Sequence, residues 1–395
     1  MLTTYTADRI YTGLSPDLLE SGAVTVADEE IVYVGPAANA PNSQIVDLGD
    51  VTLLPGLIDM HVHLTLSGSE TAVEDYLSDT PELRLLRGAE ALRRALAAGI
   101  TTVRECGGQN TEVFALREAS QRRLLPAPRV IAAGGSITIT GGHCWFFGLE
   151  ADGELEVRQA VRRQIKAGAD YIKVMATGGA ITPRSNPIAS QYTYEELAAI
   201  VTESSSRGLR VAAHCHGTAG VADAARAMVT TIEHCSFQTP TGLIYDEQVA
   251  QQVKDAGCYV CPTLAIAERA SQSLPVDHRI AFYRREIAPQ RFRNLRHLAE
   301  LGIPFISGSD AGVTLTPIED FAYNLTLLVD EVGLTPHAAL QSATVTAAAA
   351  LGRTDLGALE PGRAADLLAV AGNPLNNIHD LWQVLAVVAR GVRYR

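Results

Sequence analysis

Leu54-Pro-Gly-Leu-Ile-Asp-Met-His-Val-His-Leu64 is an apolar run that ends in two histidines one residue apart, His61 and His63. In a β-strand the side chains alternate between two faces, so these two imidazoles point the same way. Two imidazoles converging from one strand make half of a metal site. Alone, the pair reads equally well as core or solvated histidines. The surrounding chain decides between those readings.

Downstream, apolar runs of four to six residues alternate with segments of helical periodicity. The strand candidates after Leu57–His63 are Thr101–Glu105, Arg129–Ala133, Tyr171–Met175, Val211–His214, Thr231–His234, Tyr259–Pro262 and Phe305–Asp310. Between them lie helix candidates Arg84–Ala98, Leu155–Ala167, Thr193–Arg207, Gly220–Met228, Asp246–Ala256 and Ala288–Leu301, and a last helix is expected over Thr335–Leu351. Several end at a glycine (Gly99, Gly168, Gly208, Gly257, Gly302), as a left-handed C-cap requires. Strand and helix in this alternation predict an α/β fold, a (β/α)8 TIM-like barrel. Both chain ends read differently. Short β-rich runs with turn signals cover Ala23–Val26, Ile31–Pro36, Gln44–Leu48 and Val51–Leu54, and again Ala365–Val370, Val384–Ala389 and Gly391–Tyr394. The division expected is a small β-rich domain from 1–54 and 357–395 beside a barrel over 55–356.

In such a barrel the active-site face is formed by the C-terminal strand ends. Those ends carry His61, His63, Lys173, His214, His234 and Asp310. Four imidazoles, a carboxylate and a lysine are costly to gather in a barrel mouth unless something coordinates or neutralises them. A pair of divalent cations is the simplest candidate. Lys173 is the odd member, because an ammonium repels metals. Burial favours its neutral amine, and reaction of that amine with carbon dioxide gives a carbamate whose two oxygens can bridge two cations. A salt-bridged lysine at a strand end is the alternative.

Composition bounds the partners. With 395 residues, 47% hydrophobic and 19% charged, the chain is a globular protein with a large core. A net charge of −12 argues against nucleic acid as a partner. No apolar run reaches the ~18–20 residues of a membrane helix. The N-terminus has no basic segment followed by an apolar one, so the protein is expected to be cytoplasmic or already trimmed of a leader. Six cysteines do not form a disulfide framework, and Cys258-Tyr-Val-Cys261, with no second pair, reads as structural.

The motifs Pro55–His63, Ile172-Lys-Val-Met-Ala-Thr-Gly-Gly179, Ala213-His-Cys-His-Gly217, Ile232-Glu-His234, Gly308-Ser-Asp-Ala-Gly312 and Leu359-Glu-Pro-Gly-Arg-Ala-Ala-Asp-Leu367 together resemble the amidohydrolase superfamily. The resemblance spans nearly the whole chain and is strongest to the binuclear peptidases of Xaa-Pro and Xaa-Lys/Arg dipeptides and N-acyl amino acids, a branch similar to imidazolonepropionase. It implies that His61, His63 and Asp310 hold one metal, zinc by expectation, and that His214 and His234 hold a second. It implies a carbamate on Lys173 bridging both, and a bridging hydroxide that attacks the substrate carbonyl while Asp310 shuttles the proton. It also implies a β-sandwich built from the two chain ends, and a homo-oligomer.

For His143, in Thr140-Gly-Gly-His-Cys-Trp145, the resemblance implies a contact with the substrate or with the developing oxyanion, and packing of its loop is the alternative. His216 shares the parity of His214, and either touches substrate or orients a ligand. Arg184 follows the Lys173 strand and either holds a substrate carboxylate or is solvated. Cys215 and Cys235 alternate with ligand histidines and should point into the helix layer. Glu105 is read as structural. The segment Ser67–Asp79 is placed to form a lid.

The function expected is therefore metal-dependent hydrolysis of a small amide. A cyclic amide, lactone or phosphotriester is an alternative substrate for the same site. Deamination fits less well, since mononuclear deaminases of similar fold lack the bridging lysine. A non-catalytic scaffold is the alternative of another class. A scaffold is free to lose ligands, and all six are present.

Overall fold

The computed structural model describes residues 2–395. The chain is a mixed α/β fold, and its two ends are woven into one eight-stranded sheet. Leu2–Tyr11 pairs antiparallel with Leu18–Ala27, which pairs in turn with Glu30–Pro36. On its other side Leu2–Tyr11 runs parallel to Gln44–Asp47 and Val51–Pro55. Val51–Pro55 is also antiparallel to Leu367–Ala371, which carries Val384–Ala389 and then Val392–Arg393. The first strand lies before any strand that the composition predicts. Its Thr-Thr-Tyr-Thr stretch is polar, yet Thr4, Tyr5, Ala7, Ile10 and Tyr11 are all buried; Tyr5, Ala7 and Ile10 share a core with Val24, Leu53 and Leu367, while Tyr11 packs in the neighbouring core with Leu54 and Leu57.

The middle of the chain alternates strand and helix, as the periodicity predicts. Leu57–Val62, Ile100–Glu105 and Arg129–Ala132 run parallel in one ladder. Ile172–Met175, Val211–Gly217, Thr231–Thr239 and Tyr259–Cys261 run parallel in another. The two ladders touch where Asp170 N donates to Ala132 O at 2.9 Å, and Ile137 of the short strand Ile137–Thr138 extends the second ladder by pairing with Val174. The glycines expected at helix ends all have positive φ, from 69° at Gly257 to 96° at Gly168.

Two elements depart from expectation. Phe305–Asp310 is not a continuous strand. Phe305 bridges to Val260 and Ala311 to Val62, while the residues between find other partners. Ser307 N donates to Ser342 O (2.8 Å), and Ser309 N donates to the Asp59 carboxylate (2.9 Å). A side chain thus stands where a ladder carbonyl would. Even so, Met60 N donates to Ser307 O and Asp310 N to His61 O, so the segment lies directly against the first strand of the ladder. That approach needs Gly308, because a Cβ there would overlap His61 and Cys261.

The second departure is the last helix, which is broken into Pro336–Ser342 and Val345–Leu351. The reason is again competition for backbone groups. Ser342 O and Ala343 O accept from Ser307 N and Ile58 N, so they leave the helical pattern. Among the described residues, no helix is long and apolar enough to cross a membrane.

Candidate metal centre

His61 and His63 leave the strand Leu57–Val62 on one face, with ring centroids 5.4 Å apart. Each ring has one nitrogen already engaged. His61 Nδ1 meets Glu233 Oε2 at 2.8 Å, and His63 Nδ1 meets Gly107 O at 3.0 Å. A carbonyl or carboxylate on Nδ1 makes that nitrogen the donor and leaves Nε2 with a free lone pair. Both Nε2 atoms lie 3.4 Å from Asp310 Oδ1. These three side chains form a buried group whose ligand atoms share one point.

A second group, His214, His216 and His234, stands beside the first. His214 and His216 sit two residues apart in Val211–Gly217, so parity places both on the same face. Their partners fix them: His214 Nε2 faces Gly178 O (3.0 Å), His216 Nδ1 faces Ser236 Oγ (2.9 Å) and His234 Nδ1 faces Thr263 Oγ1 (2.8 Å). The ring of His234 lies 5.2 Å from that of His61, which joins the two groups. Lys173 is 1% exposed, and its Nζ has no hydrogen-bond partner. A buried, unpartnered amine beside five imidazoles is hard to account for in a bare core.

The electrostatics favour neutral imidazoles. Burial, then Lys173, lowers His61 to about 4 and His143 to about 3. Burial, then Arg291, lowers His216 to about 3. Burial, then neighbouring imidazoles, holds His214 and His234 well below the usual histidine range. For Asp310 burial works the other way, but His61 and His63 outweigh it and keep the carboxyl well below the usual range. Neutral imidazoles and an ionised carboxylate are the forms that ligate a metal. This donor set fits metal binding.

His234 (φ 66°) and Asp310 (φ 60°) both adopt left-handed backbone, which is uncommon for residues other than glycine and clusters at functional sites. His143 is buried beside this centre, its ring 4.5 Å from that of His214, and its Nδ1 has no partner. Gly179 makes room for it, since a Cβ there would overlap the imidazole. Arg184 lies at the cavity wall but is exposed, as a solvated rim residue would be. Cys215, Cys235, Cys258 and Cys261 are free and buried. Cys215 and Cys235 pack in the apolar layer, as their parity predicts.

The structure also shows partners that the sequence reading did not name. Glu233 Oε1 accepts from Arg104 Nη2 (2.6 Å) and Thr231 Oγ1 (2.5 Å), and its other oxygen takes His61. Arg104 and His61 keep Glu233 ionised against the effect of its burial. Glu105, read as structural, is fully buried and pushed up to about 7 by burial.

Above the centre opens a cavity of about 1320 Å³. The segment after His63 contributes the helix Ala72–Ser78, and Glu70, Val73 and Leu77 line the cavity.

Comparisons with known proteins agree with this geometry. A model described as "Amidohydrolase family" matches residues 52–393. Ochratoxinase of Aspergillus niger is 30% identical, over 93% of this chain and 82% of the relative. Imidazolonepropionase of Deinococcus deserti is 26% identical, over 92% of this chain and 91% of the relative. Among solved structures, a Xaa-Pro dipeptidase with bound methionine in the active site superposes with a TM-score of 0.87 at 29% identity, covering 100% of both chains.

Proposed function

The chain belongs to the amidohydrolase family, and from that premise we propose that it hydrolyses the amide bond of a dipeptide, an N-acyl amino acid or a small amide of similar shape. One observation carries the reading: the Asp310 carboxylate lies 3.4 Å from two oriented imidazole nitrogens, next to three more imidazoles and an unpartnered buried lysine. The similar Xaa-Pro dipeptidase supports a peptide-like substrate. The similar imidazolonepropionase favours a second reading, a cyclic amide.

We assign His61, His63 and Asp310 to one divalent ion, His214 and His234 to another, and a carbamate on Lys173 to the space between. Histidine and carboxylate donors suit zinc. Bound there, the ions would polarise a carbonyl and bring the pKa of a water towards neutrality. The other roles belong to the chain. Asp310, held ionised, accepts a proton from the attacking water and returns it to the leaving amine. His143, neutral and with a free ring nitrogen, contacts the carbonyl oxygen as it gains charge. His216, bonded to Ser236 and packed on His234, steers that ring.

The same reading assigns residues 55–356 to a closed (β/α)8 barrel, and 1–54 with 357–395 to a β-sandwich. The hydrogen bonds from the Ser307–Ala311 segment to the strand Leu57–Val62 support closure.

A screen of N-acyl amino acids, dipeptides and aryl amides against the zinc-loaded protein tests the activity. If no amide turns over, the reading fails. Two substitutions test the roles. His143→Asn should lower kcat by roughly 10²–10³-fold while metal content stays at the wild-type level; an unchanged kcat would return His143 to loop packing. Glu233→Gln should weaken metal binding about 10–100-fold at the His61 position, because the ring loses its ionised partner. A chelator-competition titration reads this, and an unchanged affinity would confine Glu233 to neutralising Arg104.

A further inference from the structure

Arg291 stands in the first turn of the helix Ala288–Glu300 and lines the cavity above the histidines. It is 7% exposed. Its Nη2 donates to the carbonyls of His234 (3.1 Å) and Pro262, while its Nε is buried without a partner. Among the described residues, no carboxylate pairs with it. The other buried guanidiniums near the site are neutralised: Arg104 by Glu233 at 2.6 Å, and Arg284 by Glu268 at 2.7 Å.

Leaving a guanidinium out of water with no counter-charge is costly. Its planar fork of donors matches a carboxylate or a phosphate, and of the two the dipeptides and N-acyl amino acids of the proposed reading carry the carboxylate. Resting on the amide-hydrolase reading, we infer that Arg291 is the residue that holds a carboxylate of the substrate and so selects acidic amides over neutral ones. Arg184, exposed at the rim, is less suited to the task. The rest of the substrate is apolar and bulky. Val73, Leu77, Ile181, Ile188, Leu243 and Phe292 line the same cavity, whose roughly 1320 Å³ exceeds the usual ~300–1,000 Å³ of small-molecule sites. The class is an N-acyl amino acid with a large apolar acyl group or side chain.

A purely structural guanidinium is the competing role, and the chain holds an example. Arg390 is also 7% exposed and bonds to the carbonyls of Ser120 and Ala127. The test therefore reads a ratio. The probes are N-benzoyl-L-phenylalanine and its neutral carboxamide, on zinc-loaded wild type, Arg291→Met and Arg291→Lys. Wild type should prefer the acid about 10–100-fold in kcat/KM, mostly through KM. Arg291→Met should bring the ratio to within about threefold, and Arg291→Lys should keep part of it, since a point charge replaces the fork. Equal losses for both probes, or a wild type with no preference, would overturn the inference. If Arg291→Met fails to fold, an unreduced ratio in Arg291→Lys overturns it equally. If wild type cleaves neither probe, calorimetric binding of the two still decides: the acid must bind more tightly, by a margin that Arg291→Met removes. In that case the amide-hydrolase reading is what is in doubt.

Discussion

Lys173→Ala is expected to purify with far less than two metals per chain and to lose nearly all turnover. Lys173 is among the largest side chains that are fully buried, and its amine contacts no acceptor. As an ammonium it would repel two ions and stand unpaired. As the proposed carbamate it would instead be an anion able to ligate both. Removing it takes a ligand from both positions at once, so occupancy should fall more steeply than for loss of any one histidine. Metal analysis after dialysis at fixed free zinc measures this. The companion measurement is the ¹³C spectrum of wild type grown in labelled bicarbonate, where a carbamate resonance should be present and should vanish in the variant. Full occupancy in Lys173→Ala would remove the bridge from the mechanism.

Asp310→Asn should cost at least about 10³-fold in kcat while the protein stays folded. The backbone argument makes this a clean experiment. Asp310 is left-handed, with φ 60°, and asparagine is among the residues that best tolerate that conformation. The Asp310 N–H bond to His61 O is a main-chain bond and survives the change. What goes is the charge that faces His61 and His63, and the capacity to take up and release a proton. A melting temperature within a few degrees of wild type, alongside loss of turnover, is the expected pair of results. Retained turnover would take the proton shuttle away from Asp310.

How far the sequence carried can be seen residue by residue. The strand Leu57–Val62 was legible because a half-turn alternation reads directly from His61, Val62 and His63, and the same parity brought His216 to the face of His214. The glycines past helix ends were legible because their conformation has few other owners. The broken last helix was not. Nothing local to Ser342 or Ala343 shows that Ser307 and Ile58 will claim their carbonyls. Glu233 stands within the motif Ile232-Glu-His234, but nothing local to it shows a role. Its partners Arg104 and His61 come from other strands. Arg291 was invisible for a simpler reason. On a helix of ordinary amphipathic composition, an arginine without a counter-ion looks like any surface arginine until its burial is known.

The seam between Val51–Pro55 and Leu367–Ala371 orders events in time. Thr52 Oγ1 reaches Gly372 O across 320 residues. Loop closure over such a span adds little to its thermodynamic cost, because that cost grows only logarithmically. During synthesis the consequence is larger. The strand Val51–Pro55 emerges before Leu367–Ala371 and must wait with that edge unsatisfied until its partner has been made. The sheet is therefore completed only when Leu367–Ala371 docks, and that strand acts as its clasp.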